Sequence, residues 1–216
     1  MQPDGPVSAP MVSALEQGWA AIRARHPEVP TAVVVLGAGS IGVPAGGLRL
    51  GHFAAMRWHH DTQQLPEVFV GGEGLDRGPG DVLATLLHEA AHALADVRGI
   101  KDTSRQGRWH NARFKQLATE VGIETTEDPR IGWSPTSLPE ATRADYADTI
   151  TALGAALRMH RTAEVTGGQG SKTKTPPCVC DCGRRIRVAP TVLAAGPITC
   201  GVCGTDFTPD EPEDQP

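Results

Sequence analysis

The sequence predicts an α+β domain followed by a small cysteine-rich unit, and three observations carry that prediction. A continuous β-branched run, "TAVVVL" at Thr31–Leu36, suits a buried strand. Apolar residues at helical spacing recur before and after it, in several separate stretches. All five cysteines of the 216-residue chain fall between 178 and 203. Disulfide frameworks spread their cysteines over a fold, so a tight cluster in an otherwise cysteine-free chain reads as a metal site.

Composition narrows the classes further. A hydrophobic share of 39% with 25 Gly and 18 Pro means much loop, so a core forms only where apolar residues concentrate, between about Met11 and Met159. The net charge of −5 gives no global attraction to nucleic acid or membrane. Locally the balance differs. Residues 158–190 carry seven Lys/Arg against Glu164 and Asp181, whereas residues 204–216 carry five acids and no base. No segment approaches the roughly 20 apolar residues of a membrane span. The start, "MQPDGPVSAP", lacks the basic and apolar regions of a secretory signal. The expectation is a cytoplasmic protein.

Taken in order, Val12, Leu15, Trp19 and Ile22 mark an N-terminal helix ending before Pro27. "TAVVVL" runs into "GAGSIG", which matches G-x-G-x-x-G at Gly37, Gly39 and Gly42. A dinucleotide site needs that motif to open a helix, and Pro44 with Gly46–Gly47 opposes one, so the stretch reads as a turn between strands. Residues 48–58 and 67–70 read as two more strands, separated by a polar loop at 59–64 that leaves His59 and His60 exposed. Asp81 is the expected N-cap of the next helix and Gly99 its end. Phe114, Leu117, Ala118 and Val121 mark another helix, stopped by Gly122, and residues 139–159 one longer helix with Ile150, Leu153 and Leu157 inward. "EVTGGQGSKTKTPP" has the composition of a linker and "TPDEPEDQP" that of a disordered acidic tail.

The chemistry concentrates in "TLLHEAAHALAD", Thr85–Asp96. Leu83, Leu86, Leu87, Ala90, Leu94 and Val97 form one apolar stripe, and Thr85, His88, Glu89, His92 and Asp96 fall together on another face. Histidines at i and i+4 reach one ion from successive turns. Glu89, displaced by about 100° around the axis, suits a general base toward a metal-activated water rather than a ligand. A third ligand is needed, and His110 leads the Phe114 helix in "RWHNARFKQLATEVG". Asp96 is a candidate partner for a histidine. Tyr146, the one tyrosine, is weighed as an oxyanion donor, but helix packing accounts for it better.

In the cysteine segment, Cys200 and Cys203 form a C-x-x-C-G knuckle, and Cys182–Gly183 ends the other half. Four thiolates around zinc stabilise a segment too small to build a core. Five candidates leave one over, and either Cys178 or Cys180 can join Cys182.

The order HEAAH, a histidine followed by "NARFKQLA", then a cysteine ribbon resembles the SprT-like metalloproteases, the Spartan-related family. The likeness runs from about Glu67, through "EVFVGGEGL" and the His88 helix, to Gly122, and resumes at Cys180–Gly204. It implies a zincin-like domain with catalytic zinc on His88, His92 and His110 and Glu89 as base. The loop between His92 and His110 is longer than in the best-known members, with Asp96 as the alternative ligand. The family's C-x-C-G first half implies Cys180, Cys182, Cys200 and Cys203 as ligands of a structural zinc, leaving Cys178 free.

The sequence therefore leads to a zinc metalloendopeptidase acting on protein, at or near DNA. Its domains would be a zincin-like unit (1–163), a linker (164–177), a zinc ribbon (178–207) and a tail (208–216). Two zinc ions are expected, one catalytic and one structural. Lys172, Lys174, Arg184, Arg185 and Arg187 are the candidates for phosphate contact. The strand at 67–70 is the expected edge for an extended substrate. The competing readings are a non-catalytic zinc-ribbon nucleic-acid-binding protein with a scaffolding first domain, and a zinc hydrolase with a non-protein substrate.

Overall fold

A computed structural model describes residues 5–44, 47–164 and 177–210. The chain divides into two compact units, residues 1–165 and 166–216, and the class is mixed α+β. Among the described residues, no helix is long and apolar enough to cross a membrane.

The first unit opens with helix α1 (Ala9–Arg25), which buries Met11, Leu15, Trp19 and Ile22. Strand β1 (Val33–Gly37) follows, then the hairpin of β2 (Gly51–His60) and β3 (Gln63–Gly71). The sheet order is β1-β3-β2, with β1 parallel and β2 antiparallel to β3. The hairpin turns at Asp61–Thr62, so the expected polar loop at 59–64 is mostly strand, with His59 paired to Gln64 and His60 to Gln63. Both histidines are exposed. Residue 67–70 backbone is likewise not an edge: β3 lies in the middle, and β2 holds the open side.

A 3-10 turn (Gly72–Arg77) leads into α2 (Pro79–Val97). Gly78, at φ 93, precedes this helix, and Asp81 stands in its first turn rather than capping it. The expected apolar stripe is buried except for Val97, which is exposed at the last turn. Ala91, Ala93 and Ala95 are buried as well, because α2 packs against α1, β2 and β3 and against two later helices. Burying each leucine of the stripe contributes about 1.5–3 kcal/mol, so α2 is the centre of the core.

Short strands β4 (Thr103–Ser104) and β5 (Trp109–His110) pair as a hairpin before α3 (Ala112–Glu120). Asn111 caps α3, its side-chain oxygen accepting from the N–H groups of Arg113 and Phe114. After β6 (Glu124–Thr125) and β7 (Thr136–Ser137), the expected single helix over 139–159 is two, α4 (Glu140–Asp145) and α5 (Ala147–Ala156). The break falls at Tyr146, whose buried ring inserts into the core under the Arg25 guanidinium.

One buried carboxylate ties distant segments together. Glu73 accepts from Gly39 N–H (2.7 Å), Ser40 N–H (3.1 Å) and the Ser40 hydroxyl (2.6 Å). Arg161 donates to it at 2.7 Å, and Glu164 N–H bonds Ser40 Oγ. The glycine-rich turn thus serves an internal carboxylate, and Glu164, expected in the linker, belongs to this unit's packing. Residues 165–176 of the linker expectation lie outside the described residues.

The second unit pairs β8 (Cys178–Val179) with β9 (Arg185–Ile186) on one side and β10 (Thr208–Pro209) on the other, with α6 (Pro190–Ala195) between β9 and β10 in sequence. The tail therefore begins later than position 208: β10 is a strand, Asp210 N–H bonds Pro177 O, and Asp210 pairs with Arg185. Residues 211–216 lie outside the described residues. Cys178 is buried beside Phe207 and Ile186 as a small apolar side chain.

Burial works to raise the Glu73 pKa but is outweighed by Ser40 and the backbone N–H groups, which leave it at about 2. A carboxyl depressed below its ordinary 4.5 stabilises the fold above that value and loses the contribution as pH falls toward 2. Glu73→Ala is expected to cost about 3 kcal/mol, the low end for a broken buried pair because Arg161 is 34% exposed. Acid and denaturant melts of both chains check this: the wild-type loss between pH 4.5 and 2 should be smaller in the variant.

Candidate metal centre

His88, His92 and His110 converge, each offering a nitrogen within 4.8 Å of the others. The first two come from successive turns of α2. The third comes from β5, held on both sides by main chain: Thr103 pairs with His110, and on the far side His110 N–H donates to Ile131 O while Trp133 N–H donates to His110 O. Gly132 is required there, since a Cβ would lie 2.1 Å from His110 O. Phe114, fully buried, packs all three rings at 4.5–4.7 Å between centroids.

Nε2 of His92 and Nε2 of His110 are 3.1 Å apart. Tetrahedral zinc with Zn–N near 2.0–2.1 Å separates ligand nitrogens by about 3.4 Å, so the spacing suits such an ion. His92 Nδ1 donates to Asp102 Oδ2 at 2.5 Å, which turns its Nε2 lone pair toward the other rings. Burial works to lower the His92 pKa and is outweighed by the Asp102 carboxylate. Burial drives His88 well below its ordinary value and His110 to about 4. Those two rings are therefore neutral near pH 7, the form that binds a metal.

Glu89 lies under β2. Leu50 bonds Gly71 across the hairpin, so in the alternation of an antiparallel pair the main-chain groups of Gly51 and Phe53 turn to the open edge. The Phe53 N–H faces the Glu89 carboxylate and works to lower its pKa. At Gly51 a Cβ would come within 2.6 Å of Glu89 Oε1, so only glycine admits the carboxylate. Burial, opposed by His92 and by that N–H, pushes Glu89 up to about 7. Its Oε2 has no hydrogen-bond partner among the described residues.

These groups line a cleft of about 1010 Å³ that follows α2 from Asp81 to Asp96. Asp96 is exposed on its wall and is not the histidine's partner; Asp102, from the loop after α2, is. The sequence signal for Asp102 is weak, an acid in "GIKDT" two positions after Ile100. Tyr146 packs in the core and is absent from the cleft lining.

In the second unit Cys180, Cys182, Cys200 and Cys203 come together. The Cys182–Cys200 sulfur separation of 3.8 Å matches the about 3.8 Å of a tetrahedral zinc–thiolate site, and Cys180–Cys182 is closer at 3.3 Å. The N–H groups of Cys203 and Val202 lower the Cys200 thiol, and Thr205 lowers Cys203 to about 6. Arg184 faces Cys200 Sγ at 3.6 Å and Arg185 pairs with Asp210, whereas Arg187 has no side-chain partner among the described residues. Lys172 and Lys174 lie outside the described residues. Both donor sets can hold a metal ion such as zinc.

No protein-family model, curated protein or solved structure matches this chain.

Zinc titration followed by mass spectrometry is expected to give two ions per chain. Asp102→Asn should weaken the histidine site roughly 10–100-fold and Cys200→Ser should abolish the other, each without affecting its counterpart.

Proposed function

We propose that the first unit is a zinc metalloendopeptidase of zincin-like type, akin to the SprT-like proteases, and that the second is a zinc ribbon. What carries this reading is the placement of a buried carboxylate, Glu89, one residue from His88 and facing the same cleft as three converging imidazoles. A pure scaffold has no use for a carboxylate buried beside three imidazoles in a cleft.

Zinc on His88, His92 and His110 would supply a Lewis acid for the scissile carbonyl and a water of lowered pKa. The residues divide the remaining work. Glu89 takes a proton from the attacking water as the new C–O bond forms, then hands it to the departing amine as the peptide C–N bond breaks. Asp102 holds the His92 ring in one tautomer. The outward main chain of Gly51 and Phe53 on β2 offers an edge along which an extended substrate aligns. A role near DNA rests on Arg187 and on Lys172 and Lys174 of the linker.

Glu89→Gln should cut cleavage of a denatured protein by about 10²–10⁴-fold while two zinc ions remain bound. Assays with and without single-stranded DNA separate the readings. A wild-type chain that holds both ions yet cleaves nothing under either condition would favour the nucleic-acid-binding scaffold.

A further inference from the structure

The cleft is electrically divided along α2. Beyond Glu89 toward the end of the helix its acids are Asp96 and Asp102, the latter engaged by His92. Toward the start of the helix it is lined by Arg49, Arg77 and Arg143, with Asp81 as the acid of that arm. Arg77 donates to Thr85 Oγ1 (2.7 Å) and to Gly74 and Asp81 carbonyls, fixing its guanidinium at the wall. Arg143 lies against the first turn of α2, where a Cβ on Gly80 would sit 2.3 Å from its Nη1. Among the described residues neither Arg143 nor Arg49 forms an ion pair or side-chain hydrogen bond. Three guanidiniums and one carboxylate in a shared recess repel until an anion enters, and a carboxylate is the partner whose planar fork a guanidinium matches.

Orientation follows from the edge. β2 passes Glu89 and Thr85 at Gly51, with Arg49 two residues upstream. A chain added antiparallel to β2, the more stable pairing, runs from the Ala55 side toward Arg49, so residues following the scissile bond enter the arginine arm. From His88 back to Asp81 is about 10 Å along the helix, and an extended peptide covers that in roughly three residues.

We propose that this arm is a carboxylate-binding subsite, and that the enzyme selects substrates with a carboxylate two or three residues beyond the cleaved bond. The inference rests on the peptidase reading above. The carboxylate is either an acidic side chain or the substrate's own C-terminus, and both present the same group to Arg143.

The test uses the full, zinc-loaded chain and quenched fluorescent peptides in matched pairs. One pair carries Glu or Gln at those positions with an amidated end; the other ends there as a free acid or an amide. The wild type should cleave one or both carboxylate forms with kcat/KM roughly tenfold higher, the scale of one charge-assisted hydrogen bond. In Arg143→Glu the ratio should fall to one or below, and a Lys peptide should become the better substrate. Arg49→Glu, at an exposed site, lowers the same ratio and carries the test if the first variant melts early. Equal cleavage within both wild-type pairs overturns the subsite while leaving the peptidase intact. So does a ratio unmoved in both variants, or loss of oligonucleotide affinity in Arg143→Glu without any peptide preference. Failure of the wild type to cleave any peptide overturns the peptidase reading and this inference with it.

Discussion

Nε2 of His92 and Nε2 of His110, from different elements, are held 3.1 Å apart, a spacing at which one divalent cation can be shared. The first unit is arranged to enforce that proximity. α2 is held rigid by burial on nearly every side, which fixes His88 and His92. β5 is gripped by main chain on both edges, which fixes His110. Phe114 fills the space behind all three rings. The short bond from His92 to Asp102 removes the alternative in which the ring turns its N–H inward. The result is a preorganised donor set that a divalent cation can occupy without rearrangement.

The same helix separates functions by face. Its leucines and alanines are exhausted in packing, so its polar residues are left to a cleft roofed by β2. Glycine at 51 lets the strand lie directly against the Glu89 carboxylate. Burial and the neighbouring His92 act in opposite directions on the carboxyl, and burial prevails. With Oε2 unpartnered among the described residues, Glu89 is available for proton transfer in a way that the fully engaged Glu73 is not.

How much of this could be read from the sequence depends on the range of the contacts. α2 was legible because its leucine stripe and its histidine spacing are both properties of one turn of helix. α3 was legible for the same reason, from the spacing of Phe114, Leu117 and Ala118 and the Gly122 stop. Hairpin register was not: residues 59–64 look polar because their strands are exposed, and only pairing reveals β3 as the inner strand. Asp96 looked like the histidine's partner because it shares a helix face, whereas Asp102 reaches His92 only after the chain reverses at Gly99. The break at Tyr146 was equally hidden, since it falls at a buried aromatic rather than at a helix-breaking residue.

The Glu73 network also decides where the first unit can be cut. A chain ended at Ala156, the last residue of α5, would keep every helix, strand and metal-facing side chain, yet it would discard Arg161 and strand an ionised carboxylate among buried groups. The smallest excisable protein therefore extends past its last regular element, to residue 164 at least.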